Sequence, residues 1–348
     1  MLFLKNRFKY IVFAIILSFI SANLFSQDVE MSQYFAAPLQ LNPALAGISY
    51  GPRVTLNYRN EWPGLGSGFN GGYTTYMAGY DMHIDAIHAG VGALFTGDQI
   101  AAGLYGTYKA SLIYSQQIKI NRHMAIKIGI EGTYIHSEIK WNQLLWSDMI
   151  NPLTGFYNDV NVPNPTSEPN PQSTSTNTGD MSAGVVFFTE NIYVGFAVNN
   201  MLMHRQNFTT DASVLTPLNF VAHFGGNWNV KHPKSQWYNI WVSPNVLLVN
   251  QGNFYQAEAT FLTGVSFMYF GLGYRNVINN SDAVIGYLGV KKGKFRIGYS
   301  YDYTISQLAN KTGGTHELSF TFNWTGDDNS LNPKKNKGYV PCPDILNF

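Results

Sequence analysis

Two segments near the end of the chain alternate, residue by residue, between large apolar and small or polar side chains. Phe295, Ile297, Tyr299, Tyr301 and Tyr303 are interleaved with Arg296, Gly298, Ser300 and Asp302, and Leu318, Phe320, Phe322 and Trp324 with Ser319, Thr321 and Asn323. Side chains on a β-strand point to opposite faces with period two, so each segment is a strand with one aromatic face and one small, polar or charged face. In a soluble sandwich the polar face would meet water and the aromatic face a second sheet. A chain made almost wholly of such segments must close somewhere, and in an exported protein the pattern predicts a membrane barrel, apolar outside and polar within.

Export is read from the N-terminus. Lys5, Arg7 and Lys9 precede an apolar run from Ile11 to Ile20 interrupted only by Ser18. The run has the length of a signal-peptide core and falls short of the ~20 residues that a spanning helix needs. Residues 1–26 are therefore expected to be a signal peptide cleaved near Ser26, with Ala22 as the alternative. No later run is long enough to span as a helix, so any membrane crossing is by strands.

Composition agrees. Charged residues make up 12% of the chain, against roughly 25% in an ordinary soluble domain, yet the mean hydropathy of -0.10 is not that of a helical membrane protein. Without the three basic residues of the signal, the remaining Lys and Arg are slightly outnumbered by the 21 Asp and Glu, which removes the electrostatic footprint of nucleic-acid binding. The single cysteine, Cys342, excludes an internal disulfide and is far from a lipoprotein cleavage site.

From Arg53 onward the sequence predicts an all-β fold: a transmembrane antiparallel β-barrel of about 14 strands over residues 53–324. It is preceded by a periplasmic or lumenal segment, 27–52, and followed by a short periplasmic tail, 325–348. Long connections are expected on the extracellular side and short ones in the periplasm, with both termini periplasmic. The longest connection, from Ser137 to Ser182, carries Pro152, Pro163, Pro165, Pro169 and Pro171 and is expected to be a surface loop.

Several strands place charge opposite their apolar stripe: Arg53, Arg59, Lys109, Lys127, Glu131, Arg275, Arg296 and Asp302. Inside a barrel these either neutralise one another and fill the lumen or line a polar conduction path. The eight histidines show no metal-ligand spacing, no G-x-S-x-G elbow marks a nucleophile, and no glycine-rich loop continues as a phosphate cradle. No catalytic group, metal or cofactor is expected.

The segment Gln33-Tyr34-Phe35, followed by Pro38-Leu39-Gln40-Leu41-Asn42-Pro43-Ala44-Leu45-Ala46-Gly47, resembles the N-terminal signature of the PorP/SprF family of type IX secretion outer-membrane proteins in Bacteroidota. Tyr58-Arg59-Asn60-Glu61-Trp62 is similar to that family's first-strand pattern. Gly298-Tyr299-Ser300-Tyr301-Asp302-Tyr303 and Gly313-Gly314-Thr315-His316-Glu317 resemble two later motifs, and Cys342-Pro343 with Phe348 resembles its tails.

The resemblance implies an outer-membrane component of the type IX secretion and gliding motility machinery. Its implied partners are other type IX components, a periplasmic peptidoglycan-binding or ring protein, and the C-terminal domain of a cargo or adhesin, in contact with outer-membrane lipid. It supplies no catalytic residues. Gln33, Tyr34, Asn42, Pro43 and Gly47 are expected to contact a partner or to plug the lumen. A porin-like channel for small solutes is the alternative function.

Overall fold

The computed structural model describes residues 28–49, 51–65, 72–101, 103–144, 146–150, 165–168, 173–203, 215–230, 240–277, 280–305, 312–325 and 342–343. Fourteen antiparallel strands form one sheet. They are β1 (Arg53–Glu61), β2 (Tyr73–Ile84), β3 (Ala89–Ile100), β4 (Tyr105–Lys119), β5 (Met124–Ile139), β6 (Ser175–Thr189) and β7 (Ile192–Asn199). They continue as β8 (Asn219–Gly226, resumed as Trp228–Val230 beyond Asn227), β9 (Ile240–Gln251), β10 (Phe254–Val265), β11 (Met268–Val277), β12 (Asn280–Lys292), β13 (Phe295–Thr304) and β14 (Thr315–Asn323). Both stretches of β8 pair with β9, so Asn227 interrupts one strand rather than separating two.

Each strand pairs with its sequence neighbours, and β1 pairs with β14 from Arg53↔Asn323 to Glu61↔Thr315. That seam leaves no open edge, so the ladder is satisfied without water. The period-two pattern sorts the faces as expected. On β13, Phe295, Ile297 and Tyr303 point outward and are about half exposed, while Ser300 and Asp302 are buried inside. Leu112 is 75% exposed and Leu272 68%, a disposition suited to hydrocarbon and not to water.

The chain reverses at two ends. One end carries the starts of β1 and β3 and the finish of β14; the other carries the connections 140–174, 200–218 and 305–314 and is the loop end. Two connections at the loop end are nevertheless very short, Gly252–Asn253 and residues 278–279. β6 begins at Ser175, earlier than its apolar residues indicate. Its polar stretch pairs with the far half of β5, from Ser175↔Glu138 to Ser182↔Glu131, because a ladder needs paired backbone and not an apolar face. The connection expected from Ser137 is shortened accordingly, and of its prolines all but Pro165 lie outside the described residues.

The interior is filled by the chain's own N-terminal segment. Every residue from Met31 to Ser49 except Gln40 is buried. Pro38 and Pro43 each open a helical turn, Pro38–Leu41 and Pro43–Leu45, where the missing N–H has no partner to lose. Asn42 Oδ1 caps the second turn by accepting from the Ala44 amide at 2.9 Å.

The described part of this segment runs from the loop end to the other end. Asp28 contacts Asn200 and Gln251 at the loop end, whereas Ser49 contacts Asn323 at the other end, next to the start of β1. The segment thus traverses the lumen from Asp28 to Ser49 before β1 begins, the lumenal course among the two expected for residues 27–52. Beyond Thr325 only Cys342 and Pro343 are among the described residues. Cys342 is buried, with its Sγ donating toward the Ile48 carbonyl at 3.9 Å, and so lies against the lower end of the plug.

Glycines on the wall admit the plug. A Cβ at Gly129 on β5 would strike the Pro43 and Ala44 backbone, one at Gly90 on β3 the Ala46 carbonyl, and one at Gly184 on β6 the Asn42 side chain. Gly47, at φ 60°, lies so close to β2 and β3 that a Cβ would fall 2.6 Å from Gly90 Cα and from the Met82 carbonyl. Gly129→Val is expected to cost about 1–3 kcal/mol or more by overpacking against backbone that cannot move aside. The outward-facing Gly286, with open space around it, is the control. Heat-modifiability on gels should fall for Gly129→Val and stay at the wild-type level for Gly286→Val; equal behaviour would remove the steric account.

Candidate functional site: a plugged lumen and its chamber

A backbone buried in a lumen must find partners for its N–H and C=O groups. Here the wall supplies them. The Glu317 carboxylate on β14 accepts from the amides of Ser32 and Gln33, both at 2.8 Å, and pairs with Arg59 directly opposite on β1. Gln33 returns the contact through Nε2 to the Glu317 carbonyl at 3.3 Å, and its Oε1 accepts from Ser319 at 2.8 Å. Ser32 Oγ donates to Asp302 at 2.6 Å and accepts from Arg59 and Arg275 at 2.9 and 2.8 Å. Arg275 lies 3.0 Å from Asp302. Two arginines and two acids from four strands, β1, β11, β13 and β14, thus converge on one serine of the plug.

A second set of contacts fixes the lower half. Asn42 Nδ2 donates to the carbonyls of Val185 and Phe196 at 3.3 and 3.2 Å and lies 3.1 Å from His223 Nε2. The Gly47 amide donates to Asp81 at 2.7 Å, and Asp81 is held by Arg53 at 2.9 Å. Lys127, fully buried, donates to the Ala46 carbonyl at 2.6 Å, and Ser115 donates to the same oxygen at 2.7 Å. Asn57 reaches the Ala36 carbonyl at 3.2 Å. Tyr34 packs edge-on to Phe35 with ring centroids 5.8 Å apart, inside a buried apolar cluster that Val186, Phe188 and Leu247 of the wall complete.

The structure therefore brings Gln33, Tyr34, Asn42, Pro43 and Gly47 together in the lumen, with Arg53, Arg59, Lys127, Arg275 and Asp302 around them. Arg296 lies inside on β13, 5% exposed. Lys109 and Glu131 sit higher, on the wall of a chamber of about 540 Å³. The chamber lies between the plug and the loop end, and Asp28, Val29, Glu30 and Gln40 of the plug contribute to its lining. Its three cations are each paired with an acid in the same chamber: Lys109 with Asp28 at 2.7 Å, Arg59 with Glu61 at 3.1 Å, and Arg275 with Asp282 at 2.5 Å.

Glu317, Asp81, Asp28, Glu30 and Glu258 are absent from the sequence-derived set. The signal for Glu317 and Asp81 was present, since each alternates with outward aromatic or apolar neighbours and so must face inward. Among the described residues no three His, Cys, Asp or Glu side chains converge as a metal would require.

A closed fourteen-stranded barrel with an apolar outer wall, a polar interior and no helix long enough to cross a membrane among its described residues is a barrel of the outer-membrane type. The family described as "Type IX secretion system membrane protein PorP/SprF" matches residues 23–322, and the protein belongs to that family. It is thus a membrane component of the type IX secretion system.

Several solved structures are similar. They include the toluene transporter TbuX of Ralstonia pickettii (10% identity, TM-score 0.45, covering 83% of this chain and 93% of that one) and the toluene transporter TodX of P. putida (10%, 0.44, 82% and 93%). The KdgM porin is more distant in shape (8%, 0.34, 78% and 99%). None of these likenesses carries an inference about cargo. No curated protein matches the sequence.

Two predictions follow from this geometry. Glu317→Ala strips Arg59 and two plug amides of their common acceptor, a loss of the kind that costs about 3–5 kcal/mol when one member of a buried pair is removed. Amide exchange at Ser32 and Gln33 should then quicken by about 100-fold to a few thousand-fold; unchanged exchange would show that the carboxylate does not hold the plug.

The other concerns Glu30, whose carboxyl is pushed up to about 7 by burial, reinforced by the neighbouring Asp28. A raised carboxyl pKa contributes stability below the unfolded value of 4.5 and loses it as pH rises through 7. Burial alone would raise Asp28 too, but Lys109, Asn200 and Gln251 outweigh it and lower that group from 3.8, so its window lies at more acidic pH. Thermal midpoints in detergent should fall between pH 5 and 8 more steeply in the wild type than in Glu30→Gln, and parallel curves would discard this account.

Proposed function

We propose that this protein anchors cargo for the type IX machinery instead of conducting solutes. In this reading it is an outer-membrane barrel that supports secretion or surface attachment of an adhesin or other cargo bearing a C-terminal sorting domain. The observation that carries the proposal is the filled lumen. The segment from Met31 to Ser49 is buried against the wall and hydrogen-bonded to β1, β2, β4, β5, β6, β7 and β14, whereas a pore needs an open interior.

In this proposal the loop end faces the cell exterior and meets the cargo domain. The other end, with Cys342, faces the periplasm and meets other secretion components and a peptidoglycan-binding or ring protein, and the aromatic outer face contacts outer-membrane lipid. The barrel's role is assembly, and no residue is assigned a catalytic step.

A mild-detergent pull-down of the tagged protein from its native outer membrane, analysed by mass spectrometry, is expected to retain a large adhesin or type IX components. Reconstituted in planar bilayers, the same protein should show no steady conductance. Recovery of the barrel alone together with stable ion currents would reject the anchoring role in favour of the channel.

A further inference from the structure

Among the described residues, the chamber above the plug is lined by more carboxyl groups than cations. Once Lys109, Arg59 and Arg275 are assigned to Asp28, Glu61 and Asp282, four acids remain on its lining: Glu30, Asp98, Glu131 and Asp180. None of the four has a cation within ion-pair distance among the described residues. Neutral groups donate to them instead: Asn219 Nδ2 to Glu30 at 3.4 Å, Thr75 to Asp98 at 2.7 Å, Thr133 to Glu131 at 3.1 Å, and the Leu202 amide to Asp180 at 3.1 Å. Carboxylates gathered in a cleft with low-dielectric walls focus a negative field.

A second observation is independent of these charges. Asn219 lines the chamber and is 2% exposed, yet its Oδ1 has no partner among the described residues. A buried acceptor left unmade is costly, and a donor entering the chamber would satisfy it. The missing group therefore carries positive charge and donates hydrogen bonds. Among the described residues no set of three His, Cys, Asp or Glu side chains converges to ligate a bare metal. An ammonium or guanidinium fits, and Trp62 and Tyr73, with ring centroids 5.8 Å apart, supply aromatic faces to the same chamber for the cation and its alkyl stem. The volume of about 540 Å³ lies within the roughly 300–1,000 Å³ of small-ligand pockets.

We propose that the loop-end chamber is a receptor for Lys or Arg side chains carried on a short segment of a partner protein. The inference deepens the anchoring reading by naming the chemistry that the chamber selects, and it rests on that reading for the identity of the partner as a passenger. Signal cleavage after Ser26 would expose one α-ammonium a single residue from Asp28. That is one charge against the carboxylates of Asp98, Glu131 and Asp180, with Glu30 only partly ionised near neutral pH, so acids still outnumber cations among the described lining residues.

The test uses the full mature chain in detergent, titrated calorimetrically with trilysine and triarginine, with spermidine as a free polyamine and triglutamate as the charge-reversed control. The tripeptide cations are expected to bind saturably and more tightly than spermidine, to weaken as salt screens the field, and to lose at least ten-fold in affinity in Asp98→Asn/Glu131→Gln/Asp180→Asn. Triglutamate should not bind. The single variant Asp98→Asn, with a several-fold loss, covers the case in which the triple variant does not fold, as judged by heat-modifiability.

Absence of binding by every cationic probe, or equal affinity in wild type and folded variants, overturns the receptor. Spermidine binding as tightly as the tripeptides overturns its assignment to a protein segment. The titration contains no secretion component, so its failure and a failure of the pull-down are separate results.

Discussion

The Glu317 carboxylate accepts from two consecutive main-chain amides of the plug and pairs with the residue directly across the seam, Arg59. One side chain therefore joins two events that are otherwise independent, the closure of the last strand on the first and the seating of the N-terminal segment. Cross-strand pairs are a unit of sheet stabilisation, but here the pair is buried and must be completed by further hydrogen bonds to be tolerated at all. Ser32 and Gln33 supply them, and Arg275 and Asp302 extend the arrangement around the wall. The lumen is polar because an irregular backbone fills it, and that backbone can lie there only because the lumen is polar.

Above and below this level the wall is shaped differently. Below it, glycines on β3, β5 and β6 let the turns around Asn42 and Pro43 approach the sheet backbone, while Val186, Phe188 and Leu247 pack against Tyr34 and Phe35. Above it, the wall keeps larger polar residues, and the space stays open as a chamber. Side-chain volume at inward positions contributes to this difference. Filling and openness are thus separately encoded along the same strands.

Much of the wall was legible in the sequence because period-two alternation is a local property. It gave fourteen strands and set residues such as Arg53, Arg275 and Asp302 inward. The same rule places Glu317 inward, between the outward Leu318 and the half-buried His316, but period two alone does not tell what an inward acid will touch. The extension of β6 back to Ser175 was hidden because those residues have no apolar face. The path of the plug was hidden for another reason: its contacts, such as that between Ser32 and Glu317, join residues 285 positions apart. No pattern within a window of the sequence reports such a pairing, although the density of Asn, Pro and small residues from Gln33 to Gly47 marks a segment built for something more specific than a linker.

The direction in which the plug runs has a mechanical consequence. Only residues 50–52 separate Ser49 from β1, so the lower end of the plug is covalently tethered to a strand that is laddered on both sides. Asp28 lies at the far extremity of the same segment, in the chamber. Lys109, Asn200 and Gln251, which grip Asp28, therefore hold the segment at the point farthest from that tether, like the second hand on a cord already made fast.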